Sequence, residues 1–337
     1  MAVSSAPSIA QVAELSGVSK STVSRILNNH QDNFSVKAET RQRVLDAAEQ
    51  LNYRPNPIVR SLSAKQTNLI AVLGLSDFGT AIRGGTEEAA NALMHQLYDR
   101  GYELCVNVLS PREPAYAPPR WRVDGAIVVD NSSAEEIEAL DRSEIPYVSL
   151  NGPAGARGSS VTVDDEAGTR AVVHHLTALG HRRIAYAGPD EYNWHSSLVS
   201  RRDAYLNSLR EIQLEPVPGY DGLGVSAFDT LRSAVIDHGA TAVIAYHPLM
   251  AVKMMRAAVT LNLRVPQDVS LICFNDLAPC ADLVPSLTAM SLPSRLMGQT
   301  AADLLLERID NPDAPPRHVE LPEQLVIRES TAPPTSP

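Results

Sequence analysis

Apolar residues recur at helical spacing between Ser8 and Leu51. Ile9, Val12 and Ala13 share one face of a first short helix, and Val23, Ile26 and Leu27 share one face of a second. Val44, Ala48 and Leu51 line a third, predicted over 36–51. Gly17 separates the first two, where a tight turn between crossing helices favours a positive φ. Ser19 is placed to cap the second helix. From Leu69 the period changes. LIAVLGL (69–75) is the unbroken apolar run of a strand buried on both faces. A helix is predicted over 85–100, with strands at 103–109, 125–130, 146–150 and 160–163. A second series follows: helix 166–179, strand 184–187, helix 197–210, strand 242–246, helix 249–261 and a strand within VPQDVSLICFND (265–276). Strands alternating with helices predict an α/β body of doubly wound parallel sheets.

Composition sharpens this division. The 337 residues allow two or three domains, and 44% hydrophobic content allows a large core. No apolar run reaches membrane-spanning length, and no basic-then-apolar leader opens the chain, so a cytoplasmic protein without membrane association is expected. Cys105, Cys273 and Cys280 have no CxxC spacing and read as core thiols in a reducing compartment. The net charge of −10 opposes nucleic-acid binding if spread evenly. It is not spread evenly: residues 1–65 carry a net +3 and the remainder −13. A small basic head on an acidic body fits a local DNA contact.

The outward residues of the second helix are Lys20, Ser21, Thr22 and Arg25. They are small, polar or basic, as a helix entering a DNA major groove requires. An ordinary helical hairpin with a solvated face is the alternative. The residues beyond the hairpin favour the DNA reading. VSKSTVSRILNN, ETRQRVLDAAEQLNYRPN and RSL stand in order, and with them residues 8–64 resemble the headpiece and hinge of the LacI/GalR family of bacterial transcription regulators. VDDEAGTRAVVHHLTALGHRRIAYAG resembles the start of that family's C-terminal subdomain, so the resemblance covers residues 8–331.

The resemblance implies a three-helix helix-turn-helix headpiece (8–54) after a disordered tail (1–7). A hinge helix and linker (55–66) then lead to a two-lobe, periplasmic-binding-protein-like body (67–331) and a loose tail (332–337). The N-subdomain would comprise about 67–162 and 290–320, and the C-subdomain about 163–289 and 321–331, with three chain crossings between lobes. Pro55 and Pro57 break the third helix from 57–64, which is too short to hold alone in water and needs its dimer mate or DNA. Lys20, Ser21 and Arg25 would read bases, while Thr22, Asn28 and Asn29 would hold phosphates. Ser19, Tyr53 and Arg60 complete the DNA-binding set. Leu62 matches the family's minor-groove wedge, the alternative being packing into the body. The 29–40 loop is longer than the family's, so Ser35 is the expected cap of the third helix. The Pro-rich 111–120 stretch abbreviates a crossover helix.

No GxSxG, HExxH, P-loop or Cys/His metal spacing occurs, so neither enzyme nor cofactor is expected. His174 and His175 are adjacent on a helix and point apart, and Asp164 and Asp165 read as helix caps. Ligands of doubly wound sheets bind beyond the carboxyl ends of strands. Asp77, Asn151, Asp190, His247 and Asn275 fall there, Arg201, Arg202 and Tyr205 lead a helix, and Phe78 and Phe274 offer rings for a sugar face. By resemblance, Arg202 or Arg201 matches the effector arginine and Asn275 the effector carboxylate, while His247 stands where the family has Asn. The FNDLAPCADLVPSLTAM stretch is similar to the evolved β-galactosidase repressor branch, implying a galactoside effector. The expectation is a sequence-specific repressor binding near-palindromic operator DNA as a homodimer under control of a sugar. The rivals are a sugar-binding protein with a non-functional head, and an enzyme on a two-lobe fold.

Overall fold

In the computed structural model the chain is described over residues 7–27, 36–53, 66–74, 86–106, 122–130, 134–189, 195–217 and 224–335. It divides into two compact units, Met1–Asn68 and Leu69–Pro337.

The first unit holds α1 (Ile9–Ser16), α2 (Lys20–Leu27) and α3 (Ala38–Gln50). Helices this short are marginal alone, so caps and a shared core must hold them. Ser8 and Gln11 form a reciprocal capping box at α1. Gly17 ends α1 at φ 70°, and its N–H reaches back to the α1 carbonyls. The Ser19 hydroxyl accepts from Thr22 N at 3.1 Å and caps α2. Val12, Ala13, Val23, Ile26, Val44, Ala47 and Ala48 form the buried core, with Ile9, Leu27 and Leu51 packed against it. α3 starts two residues later than its apolar spacing predicts. Lys37 holds the cap position without a side-chain hydrogen bond, and Ser35 lies outside the described residues.

The second unit runs β1 (Leu69–Leu73), α4 (Thr86–Asp99), β2 (Glu103–Val106), β3 (Gly125–Val129), α5 (Ala134–Arg142), β4 (Tyr147–Leu150), β5 (Ser159–Val163), α6 (Asp165–Ala178), β6 (Ile184–Ala187) and α7 (Ser196–Glu211). It continues through α8 (Ala227–Arg232) with a π-helical turn (Ser233–Asp237), β7 (Ala242–Ala245), α9 (Pro248–Thr260), β8 (Ser270–Phe274), α10 (Ala278–Asp282), β9 (Thr288–Ser291), α11 (Ser294–Asp310), β10 (His318–Leu321) and β11 (Gln324–Val326). One sheet has the order β10-β5-β4-β3-β1-β2, and every pairing in it is parallel. The other has the order β11-β9-β8-β7-β6. Its edge strand β11 pairs antiparallel with β9, a departure from the all-parallel expectation. A three-residue strand entering from the other lobe needs no crossover helix, so it is free to run backwards.

Each sheet is covered on both faces. Ile70 and Val72 of β1 join one core with Leu93, Leu97 and Leu305. Leu69, Ala71 and Leu73 join the opposite core with Leu140 and Tyr147. Both faces of the second sheet are packed in the same way. The chain passes between lobes at three places: Asp164, after β5; residues 292–293, after β9; and residues 322–323, between β10 and β11.

The terminal residues are anchored where a loose tail is expected. Ala332 O accepts from the buried His181 side chain and from Ser270 Oγ, at 2.9 and 3.1 Å, and Ala332 N donates to Ser270 Oγ at 3.1 Å. A buried imidazole needs partners for both nitrogens, and Thr241 takes the other at 2.9 Å. The 29–35 loop, the 55–65 segment and the 111–120 crossover lie outside the described residues.

Helix α11 packs directly on α4, where Gly298 lies on the Ala89 carbonyl. A Cβ there would overlap that backbone oxygen. Gly298→Ala is expected to cost about 1–3 kcal/mol through overpacking, read as a lowered urea midpoint. An unchanged midpoint would show that the helices separate freely.

Candidate nucleic-acid interface and small-molecule site

In the first unit, α2 presents its N-terminal end. Ser19, Lys20, Ser21 and Arg25 are exposed and Thr22 is half-buried, while Val23 and Ile26 turn inward. The Ser19 hydroxyl also bonds those of Ser21 and Thr22, at 2.7 and 2.9 Å. The result is a ridge of small hydroxyls beside Lys20 on the helix end whose dipole favours anions, with Arg25 in the last turn of the same helix. Tyr53 packs against the headpiece core, and its N–H donates to Ala48 O at 2.8 Å. Asn28, Asn29, Arg60 and Leu62 lie outside the described residues.

In the second unit, three strands end on a residue in the left-handed region: Asp130 after β3 (φ 54°), Asn151 after β4 (φ 59°) and Asn275 after β8 (φ 63°). Asn and Asp tolerate this conformation better than other non-glycine residues. Asn151 Nδ2 donates to Asp130 Oδ1 at 2.8 Å. His195 comes from the other lobe, as the residue capping α7. Ser197 N–H donates to His195 Nδ1 at 3.1 Å, so that nitrogen is the acceptor and Nε2 carries the proton. Nε2–H then donates across the lobes to Asn151 O at 2.7 Å, with Asp130 Oδ1 at 3.8 Å. Ser197 Oγ shares a 2.7 Å hydrogen bond with Tyr246 OH.

Behind this network lies Arg201, 3% exposed. Its Nε donates to Asp165 Oδ1 at 2.6 Å, Nη1 to Tyr246 O at 3.2 Å and Nη2 to Asn275 Oδ1 at 3.2 Å. Glu323 Oε1 is 3.8 Å from Nη2. The guanidinium carbon stands 4.3 Å from the Phe274 ring centroid and 5.4 Å from that of Tyr246. Burial alone would lower the Arg201 pKa, but Asp165 and Glu323 outweigh it and hold the charge. Burial raises the Glu323 carboxyl to about 7, with Arg201 opposing and Asp165 and Asp164 adding to the rise. Asp276, next to Asn275, is clamped by both Arg328 Nη groups at 2.8 Å.

The sequence-derived residues are thus redistributed. Asn151, Arg201 and Asn275 come together. Arg202, one position on, faces solvent on α7. Phe274 offers no ring to a sugar: it points into the sheet core, fully buried beneath the Arg201 guanidinium. His247 caps α9, its Nδ1 accepting from Met250 N at 3.2 Å. Asp164 caps α6 through Ala167 N, whereas Asp165 pairs with Arg201 and does not cap. Asp77, Phe78 and Asp190 lie outside the described residues. Asp130, His195, Ser197, Tyr246 and Glu323 are additions. Asp130 and Tyr246 follow strands and carry the signal that marked Asn151, while Glu323 carries none. A cavity of about 620 Å³ opens beside the network, with Asp164, Glu166, Asp203 and Glu320 among its lining. Asn151, Tyr246 and Asn275 do not line it, so the convergent polar groups lie elsewhere.

Comparison with known proteins bears on both units. Residues 8–56 match the family model described as bacterial regulatory proteins, lacI family, and residues 173–331 match a periplasmic binding protein-like domain. The lactose operon repressor of Escherichia coli (strain K12) is 31% identical, over 96% of this chain and 91% of that protein. The lac repressor dimer bound to operator and the anti-inducer ONPF superposes with a TM-score of 0.79 at 27% identity, covering 97% of this chain and 99% of that one. The complex of the transcriptional regulator CelR with cellobiose gives 0.65 at 25% identity, covering 96% and 99%.

Removing Arg201 would leave the Asp165 carboxylate enclosed without its counter-charge. Arg201→Ala is expected to lose about 3–5 kcal/mol of body stability in urea unfolding, and Arg202→Ala less than about 0.5 kcal/mol. Equal losses would show that the Arg201 charge is not the one held inside.

Proposed function

The chain belongs to the lacI family of bacterial regulatory proteins, and we propose that it is a cytoplasmic repressor whose homodimer reads near-palindromic operator DNA under control of a galactoside-type sugar. The observation that carries this reading is the pairing, in one chain, of two things. One is the exposed N-terminal face of α2. The other is a two-lobe body whose strand ends carry Asn151 bonded to Asp130 in one lobe and Asn275 bonded to Arg201 in the other. A sugar needs fixed amides and carboxylates in donor–acceptor pairs, and these residues offer them.

In this reading Lys20, Ser21 and Arg25 reach base edges, with Arg25 suited to the paired acceptors of guanine. Ser19, Thr22, Asn28, Asn29, Tyr53 and Arg60 hold phosphates and fix the register. The 55–66 segment pairs with its twin in the dimer and places Leu62 as a wedge at the operator centre. Headpiece spacing of about one helical turn follows from two-fold symmetry. The site has no step of bond chemistry to perform: its groups bind, and their displacement is the signal.

Arg25→Ala is expected to weaken operator binding by about 10- to 100-fold, the worth of one bidentate base contact. Sugar binding, followed by calorimetry on the same protein, should be unchanged. Operator affinity that survives the substitution would remove α2 from base reading. Leu62→Ala is expected to weaken operator binding more than binding to random duplex. Equal weakening would exclude the wedge.

A further inference from the structure

Arg201 stands at the meeting of two of the three lobe crossings. Asp165 lies just beyond the first crossing and Glu323 lies within the third, and both carboxylates face the same guanidinium. The Glu323 side chain is wholly enclosed, resting on Gly168, where a Cβ would overlap its Oε2. Neither of its oxygens has a hydrogen-bond partner among the described residues, which is rare for a buried carboxyl. Its charged neighbours are Arg201 on α7 and Asp164 and Asp165 at the start of α6. Tyr186, whose hydroxyl also has no hydrogen-bond partner among the described residues, stands near Arg201.

The decisive atom is Arg201 Nη2. It donates to Asn275 Oδ1 at 3.2 Å and lies 3.8 Å from Glu323 Oε1. One nitrogen therefore serves a strand-end amide of the small-molecule site and a carboxyl of the lobe crossing. We propose that Glu323 is a positioning residue: protonated, it leaves Arg201 to Asn275 and lets the crossings stay closed; ionised, it competes for the guanidinium and loosens the crossings and Asn275 together.

The sign follows from linkage. A carboxyl whose buried state holds its proton up to about pH 7 titrates near its ordinary value once exposed. Raising the pH between those limits therefore favours the open state, and the stabilisation present at low pH is lost by the time the buried group has ionised. The consequence for control rests on the effector reading above, but the test requires no sugar, so failure of one leaves the other intact.

The test is hydrogen exchange followed by mass spectrometry on the full chain at pH 6 and pH 8, corrected for intrinsic rates. Peptides spanning 164–168 and 270–276 should lose about tenfold in protection between the two values. Glu323→Gln should hold both at their pH 6 protection. Every other ionisable group remains in the variant, so the difference between the two proteins isolates Glu323. Wild-type protection that does not change with pH overturns the proposal by itself, even if Glu323→Gln fails to fold. A variant that keeps the wild-type pH response also overturns it.

Discussion

A positive charge cannot lie in a protein interior without partners, and Arg201 is such a charge. Its needs organise the body around it. The first crossing must deliver Asp165 to Nε, the third must bring Glu323 to Nη2, and two strand ends must turn Asn275 Oδ1 and Tyr246 O toward the remaining donors. The Phe274 ring covers one face of the same group. A guanidinium satisfied from two lobe crossings and from the site at once is sensitive to the motion of any of them. Fixed hydrogen bonds in a medium of low polarity transmit small displacements that water would absorb.

The head obeys a different constraint. Three short helices share a core of seven small and branched residues, and the caps at Ser8, Gly17 and Ser19 supply what length cannot. Such a unit is small, rigid and polar on its exposed helix end. Its exposed helix end suits the edges of DNA bases. The body can house a ligand but carries the acidic excess of the chain. Reading and sensing therefore occupy separate units for physical reasons, and regulation consists of coupling them.

Much of this was legible in the sequence, and the exceptions have causes. Helical period placed the three head helices, and unbroken apolar runs placed most of the body strands, because those strands are buried on both faces. The rule that polar residues after strands face a ligand singled out Asn151 and Asn275 but passed over Asp130 and Tyr246, because the predicted strands 125–130 and 242–246 each run one residue past the observed ends at Val129 and Ala245. Asp164 and Asp165 both read as caps, yet only Asp164 caps and Asp165 turns to Arg201, because an Asp at such a junction can either cap the helix or face inward. Phe274 was misread because strand alternation fixes its face but not what lies over it. Arg201 and Arg202 are neighbours in sequence, and only helix phase decides which is buried. Glu323 left no trace, since its importance comes from two short strands of different sheets meeting beside α7. The antiparallel β11 and the anchored Ala332 likewise depend on contacts between residues far apart in the chain.

The central claim is that one chain joins a sequence reader to a sugar-responsive body. The most direct measurement is a selection of bound sequences from random duplex DNA by the full chain, at two salt concentrations, repeated with a panel of galactosides and other neutral sugars. The account predicts a recovered near-palindrome with a flexible central step, whose affinity one member of the panel shifts by about 5- to 150-fold, the usual range of allosteric coupling. Weak binding without a motif, falling steeply with salt and indifferent to every sugar, would contradict it.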